Sequence, residues 1–227
     1  MKLSTADAPE AEPVSFLIPA GDVTLPGDLG IPKDPVGMVL FAHGTGSSRR
    51  SKRNQAVAKF LRGSGIATLL FDLLTSQEES KEAYTGHLRF DIELLSRRLA
   101  AVTEVIESDT RLRNFGLGYF GASTGGAAAL RAAAALGSTI DAVVSRGGRP
   151  DLAGEALPIV KAATLLIVGE RDEEVLRLNE QAYSQLQCEK SLVVVPRATH
   201  LFQEPGALEE VARLAAAWFQ KHLKSRK

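Results

Sequence analysis

The chain has 227 residues, 44% of them hydrophobic and 24% charged, which suits one α/β domain and leaves little room for a second. Its 27 Lys and Arg balance 27 Asp and Glu, so the formal net charge is zero and no global field draws it to nucleic acid or to an anionic membrane. The single cysteine, Cys188, excludes an intramolecular disulfide and fits a reducing, cytoplasmic setting.

In chain order, residues 1–13 are too poor in large apolar side chains to pack, and read as a flexible tail ahead of one domain over 14–227. No signal-peptide pattern follows Met1, and no uncharged apolar run approaches the roughly 20 residues needed to span a bilayer. Segments 14–19 and 22–31, the second with a turn at Pro26-Gly27, predict an opening antiparallel hairpin. Short apolar runs follow at 37–42, 66–71, 115–120, 140–145, 163–168 and 191–196. Continuous rather than alternating apolarity predicts strands covered on both faces, as in a parallel sheet.

Helical patterns separate these runs. Leu88, Ile92, Leu95, Leu99, Val102 and Ile106 recur at steps of three and four, and Leu208, Val211, Leu214, Ala215, Trp218 and Phe219 form a stripe near the end. Segment 126–136, nearly all Gly, Ala and Leu, predicts a helix inside the fold. Repeated strand–helix units give a doubly wound, mostly parallel sheet, with ligands beyond the carboxyl ends of its strands.

The chemistry is sought at that edge. After strand 115–120 comes Gly121-Ala122-Ser123-Thr124-Gly125, a G-x-S-x-G sequence in strand–turn–helix context. A turn this sharp needs neighbours without side chains, and it projects the Ser123 hydroxyl into the cleft. The backbone N–H of Thr124 then faces a developing oxyanion.

A serine nucleophile needs a base, usually histidine. Among the four histidines, His200 follows the last strand through a short loop on the same rim. His222 sits among cations on a helix tail that reads as solvated, His43 belongs to a separate loop, and His87 lies in the long polar segment 73–87. Asp172, after strand 163–168 and a Gly turn, is placed to orient His200. Glu170 is the alternative carboxylate, and acidic helix-start chemistry is an alternative role for the whole run. The small residues of His43-Gly44-Thr45-Gly46 predict a second oxyanion donor, the N–H of Thr45, with His43 tying the loop down.

Pocket residues are predicted from loops beyond the strands: Tyr84 and His87 in 73–87, and Arg146 and Arg149 after strand 140–145. An arginine there can grip a substrate carboxylate bidentately; pairing with Asp151 or Glu155 is the open alternative. No His or Cys pair has metal-ligand spacing, so no metal is expected.

With these residues in hand, the chain resembles the dienelactone hydrolase-like branch of the α/β hydrolases from Val14 to Leu223. The carriers are the Ser123, Asp172, His200 order, the F-A-H-G-T-G-S-S-R loop, the A-T-H-L-F sequence around His200, and the short chain without a cap domain. The resemblance implies the α/β-hydrolase fold and hydrolysis of small esters or lactones through an acyl-enzyme, with no cofactor. It implies phosphotriester hydrolysis as a side activity. The namesake enzymes use cysteine where this chain has Ser123, and Cys188 lies in a helix-type segment away from the motif, so a general carboxylesterase is the expectation. The expected partner is a small ester or lactone, with the chain a monomer or homodimer. Acyl transfer or thioester hydrolysis on the same triad, and a non-catalytic scaffold, are the rival readings.

Overall fold

A computed structural model describes residues 12–226 of the chain; the predicted tail lies outside the described residues except for Glu12 and Pro13, which have no regular structure. The predicted hairpin forms from β1 (Val14–Ala20) and β2 (Val23–Gly30). Its turn is at Gly21-Asp22, where Gly21 takes φ 68°, a left-handed conformation that glycine adopts freely. Pro26 and Gly27 lie instead within β2, opposite Leu17 and Phe16. Pro26 is tolerated because pairing of β2 with the next strand begins only at Gly27, so its missing N–H breaks no bond in that ladder.

Six further strands follow: β3 (Met38–Ala42), β4 (Ala67–Phe71), β5 (Leu117–Ala122), β6 (Ile140–Arg146), β7 (Ala163–Gly169) and β8 (Lys190–Val195). The spatial order is β1-β2-β4-β3-β5-β6-β7-β8, antiparallel through β2 and parallel from β4 onward. Every residue of β3, β4, β5 and β7 is buried, as continuous apolar runs require when helices cover both faces. β8, at the sheet edge, is only half-buried.

Helices α1 (Lys52–Gly63) and α6 (Ala207–His222) pack on one face, through Val57, Leu61, Val211, Ala215 and Phe219. On the other lie α3 (Ile92–Ser108), α4 (Thr124–Leu136) and α5 (Glu173–Gln185). The predicted stripe of α3 is buried from Ile92 to Ile106, but Leu88 precedes the helix in a short 3-10 turn, Leu88–Phe90. Asp91 starts α3 by accepting the Leu94 N–H at 2.9 Å. Five of the seven alanines of α4 (Ala127, Ala128, Ala129, Ala132 and Ala133) are buried, which lets this helix fill the space beneath β5.

Segment 73–87 is not the irregular loop its polarity suggests. It forms α2 (Ser76–Thr85), started by a capping box between Thr75 and Glu78 and ended at Gly86 with φ 65°. Arg98 of α3 clamps the helix start, donating to the Leu73 carbonyl at 2.8 Å and to both Glu78 carboxylate oxygens at 2.7 and 2.5 Å. The Arg98 bonds hold the Glu78 carboxyl down to about 2 from its ordinary 4.5. A depressed carboxyl binds its proton less tightly in the folded chain than in the unfolded one. Its stabilising effect is therefore complete above pH 4.5 and is lost as pH falls through about 2. Melting temperature should drop across that window by the equivalent of about 1 kcal/mol, the scale of a pair partly open to water. Glu78→Gln should flatten the drop in the same melts; an equal slope in both proteins would assign the acid sensitivity to other groups.

Candidate active site

β5 turns into α4 at Ser123, whose φ of 52° and ψ of −123° lie outside the regions open to unstrained L-residues. The flanking glycines are dictated by space. A Cβ on Gly121 would stand 2.6 Å from the Gly126 Cα, and one on Gly125 would stand 2.7 Å from the His43 carbonyl oxygen. Backbone bonds brace the turn: the Ser123 N–H donates to the Arg146 carbonyl at 3.3 Å, and the Ser123 carbonyl accepts from Gly126 and Arg149 at 2.9 and 3.1 Å.

The loop after β3 lies directly over this turn, since a Cβ on Gly44 would meet the Ser123 Cβ at 2.9 Å. His43 fixes it as expected. Its Nε2 accepts the Leu73 N–H at 2.9 Å, which makes Nδ1 the protonated nitrogen, 3.1 Å from the Gly44 carbonyl. Burial pushes this imidazole below its ordinary value, which keeps it neutral.

Asp172 occupies the cap position of α5, yet its side chain makes no cap bond. Its Oδ2 is instead 2.6 Å from His200 Nδ1. With Nδ1 donating to the carboxylate, Nε2 carries the free lone pair that a general base uses. Glu170 is engaged elsewhere, accepting the Arg197 N–H at 2.6 Å. The His200 loop is flanked by two non-glycine residues with positive φ, Arg197 at 63° and Phe202 at 54°.

Ser123 and His200 share one lip of the sheet. His200 Cε1 lies 3.5 Å from where a Gly147 Cβ would stand, one residue beyond the Arg146 carbonyl that holds Ser123. The two side chains are not hydrogen-bonded to each other in this structure; such catalytic bonds often tighten only with substrate in place.

At the expected oxyanion site, the Thr124 N–H opens α4, where helix geometry leaves it no intrahelical acceptor. The Thr45 N–H is occupied: it donates to Thr124 Oγ1 at 3.1 Å, and the two threonine hydroxyls are also 3.1 Å apart. An incoming oxyanion would displace this hydroxyl.

Beside these threonines is a small recess of about 10 Å³, lined by His43, Thr45, Leu74, Glu79, Arg89 and Leu95 among others. Of the pocket residues predicted from sequence, none lines it. Tyr84 is 93% exposed and His87 is exposed. Helical periodicity explains Tyr84: Glu82 of α2 is buried, and two residues further the side chain points roughly 200° away. Arg149 pairs with Asp151 through two bonds of 2.9 and 2.8 Å, the open alternative noted for it. Arg146 is 6% exposed, with Nη2 3.5 Å from Asn54 Oδ1 and its guanidinium 5.8 Å from the centre of the Phe202 ring. Burial, followed by repulsion from Arg53, lowers Arg146 to about 10.

Two other sequence readings change. His222 is not solvated; it is 9% exposed, its ring 4.3 Å from Trp218. Cys188 is not helical but sits between α5 and β8, 3.6 Å from Thr164 near the amino end of β7, at the sheet edge opposite Ser123. Glu79, Arg89 and Leu95 were not read as site residues from the sequence, because only the packing of α2, the 3-10 turn and α3 brings them to the recess. Among the described residues, no three His, Cys, Asp or Glu side chains are grouped to hold a metal ion, and no helix is long and apolar enough to cross a membrane.

A doubly wound sheet of this order, with a serine elbow and a paired His and Asp at its carboxyl edge, defines the α/β-hydrolase class. Within that class, the sequence model of the dienelactone hydrolase family matches residues 25–224, and the chain belongs to that family. A crystal structure of dienelactone hydrolase from Anabaena variabilis is 54% identical, covers 94% of this chain and 100% of its own, and superposes with a TM-score of 0.91. A Xanthomonas campestris protein described as an α/β serine hydrolase without lid shares the fold, with a TM-score of 0.73 at 21% identity over 93% and 95% of the two chains. A Mycobacterium tuberculosis protein named "Putative phosphoribosyl transferase" is 55% identical over 204 residues, 90% of this chain and 45% of that protein. The chain thus spans about half the length of the curated relatives it matches.

Proposed function

We propose that this hydrolase cleaves small carboxylic esters or lactones through an acyl-enzyme formed on Ser123. The observation that carries the reading is the 2.6 Å bond from His200 Nδ1 to Asp172, on the lip where the strained turn presents Ser123. His200 Nε2 takes the Ser123 hydroxyl proton as Oγ attacks the ester carbonyl. The negative oxygen replaces the Thr124 hydroxyl on the Thr45 N–H and also meets the Thr124 N–H. Collapse expels the alcohol, which takes the proton from His200 and leaves the acyl group on Ser123. Water, deprotonated by His200, then attacks the acyl carbon, and Ser123 recovers its proton as the acid departs.

The transferase name belongs to proteins of which this chain matches 45%. The elbow, base and carboxylate favour acyl chemistry for the matched part.

The recess suggests the acyl range. Its free space of about 10 Å³ is far below the roughly 300–1,000 Å³ of drug-sized pockets, so the shortest acyl chain, acetyl, should give the highest kcat/KM among p-nitrophenyl esters, with a fall at octanoyl. Leu74→Ala deepens the recess and should raise octanoyl kcat/KM relative to acetyl by about tenfold, the worth of one or two buried methylenes. A flat panel, unchanged by Leu74→Ala, would remove the recess from acyl binding; no turnover of any ester or lactone would overturn the hydrolase reading.

A further inference from the structure

Arg146 is almost fully buried and faces no carboxylate. Among the described residues it makes no ion pair, its Nε has no hydrogen-bond partner, and its one side-chain bond is the 3.5 Å contact with Asn54 Oδ1. A buried guanidinium without a counter-ion is costly, so the absence of an acid beside it calls for explanation. Asn54 is the third residue of α1, and the Arg146 fork thus reaches the first turn of a twelve-residue helix.

That helix starts against the usual charge preference. Acidic residues favour a helix N-terminus, where the dipole is positive. The first turns of α2, α3, α5 and α6 all carry Glu. Those of α1 and α4 carry no acid. α4 begins at the proposed oxyanion site. α1 begins with Ser51, Lys52 and Arg53, after Arg49 and Arg50. Arg49 is neutralised by Asp28 and Asp72. Arg53 is close enough to Arg146 to repel it, and its Nε is also buried without a hydrogen-bond partner. The Arg146 guanidinium thus lies beside the first turn of α1, which holds no acid and whose N–H groups have no intrahelical acceptor, the Asn54 N–H alone being capped by Ser51 Oγ.

We propose that a phosphate group binds at the N-terminus of α1, held by Arg53, Arg146 and the backbone N–H groups of Lys52 and Arg53. A tetrahedral dianion suits donors arriving from several directions, and arginine forks match its oxygens in pairs. The group is supplied either as inorganic phosphate or as the phosphate of a phosphorylated ester. The second source rests on the proposed hydrolase activity; the first does not.

Binding is therefore read on catalytically silenced Ser123→Ala protein, by titration calorimetry with inorganic phosphate at constant ionic strength. Saturable binding of one phosphate per chain is expected, weakened about tenfold or more by adding Arg53→Gln or Arg146→Gln, as the loss of a charge-assisted fork implies. Arg53 lies in the partly exposed first turn of α1, so its substitution carries the test even if Arg146→Gln fails to fold. No saturable binding, or binding that Arg53→Gln leaves unaltered, overturns the proposal. Given binding, wild-type kinetics assign the source. Competition by phosphate against a phosphate-bearing ester, but not against a neutral p-nitrophenyl ester, assigns the site to substrate; competition against neither assigns it to free phosphate.

Discussion

Ser123→Ala is expected to lower kcat for p-nitrophenyl acetate by roughly 10⁴- to 10⁶-fold, the range seen when a triad nucleophile is removed, while the melting temperature stays near that of wild type. Alanine keeps the Cβ, so the backbone strain at φ 52° and the bonds to Arg146, Gly126 and Arg149 are unchanged, and only the attacking oxygen is lost. Steady-state kinetics, with labelling by a fluorophosphonate probe, checks the result. Wild-type protein should label at one site per chain and the variant should not. Turnover within tenfold of wild type would show that another group attacks the carbonyl.

The second large effect is expected at Asp172. Asp172→Asn retains the shape of the side chain but replaces an acceptor-only carboxylate with an amide. The amide can hold His200 in the wrong tautomer, with Nδ1 rather than Nε2 carrying the lone pair, and it cannot stabilise the imidazolium. A comparable change in a serine protease triad costs about 10⁴-fold in kcat, and a loss of similar order with little change in KM is expected here. His200→Ala should match it and should also slow fluorophosphonate labelling. An unchanged rate in Asp172→Asn would reduce the 2.6 Å contact to a structural one. Glu170 is then no ready substitute, because its carboxylate already accepts the Arg197 N–H.

How much of this was legible in the sequence depended on whether a feature is local. The strands were readable because burial on both faces writes itself as unbroken apolar runs. The elbow was readable because the close approach of Gly121 and Gly125 to neighbouring backbone admits no side chain. Asp172 and His200 were found from their places after successive strands. The turn expected at Pro26-Gly27 does not form, because the pairing of β2 with its neighbours overrides that local turn signal. α2 was read as a loop because its sequence carries no apolar stripe, although the Thr75–Glu78 capping box that starts it is a local signal. The burial of Arg146 and His222 could not be read, since both side chains are of types usually solvated and are covered only by tertiary packing. The engagement of the Thr45 N–H by the Thr124 hydroxyl likewise joins residues 79 positions apart.

The conformation of Ser123 also limits how this protein can become more rugged. Its φ and ψ fall in a basin that glycine alone enters freely, so the position sets backbone preference against chemistry. Glycine there would relax the turn by about 1–3 kcal/mol and delete the hydroxyl with it. Selection for heat tolerance would therefore meet a trade-off at residue 123 and would have to draw its gains from elsewhere, for instance the thinly covered edge strand β8.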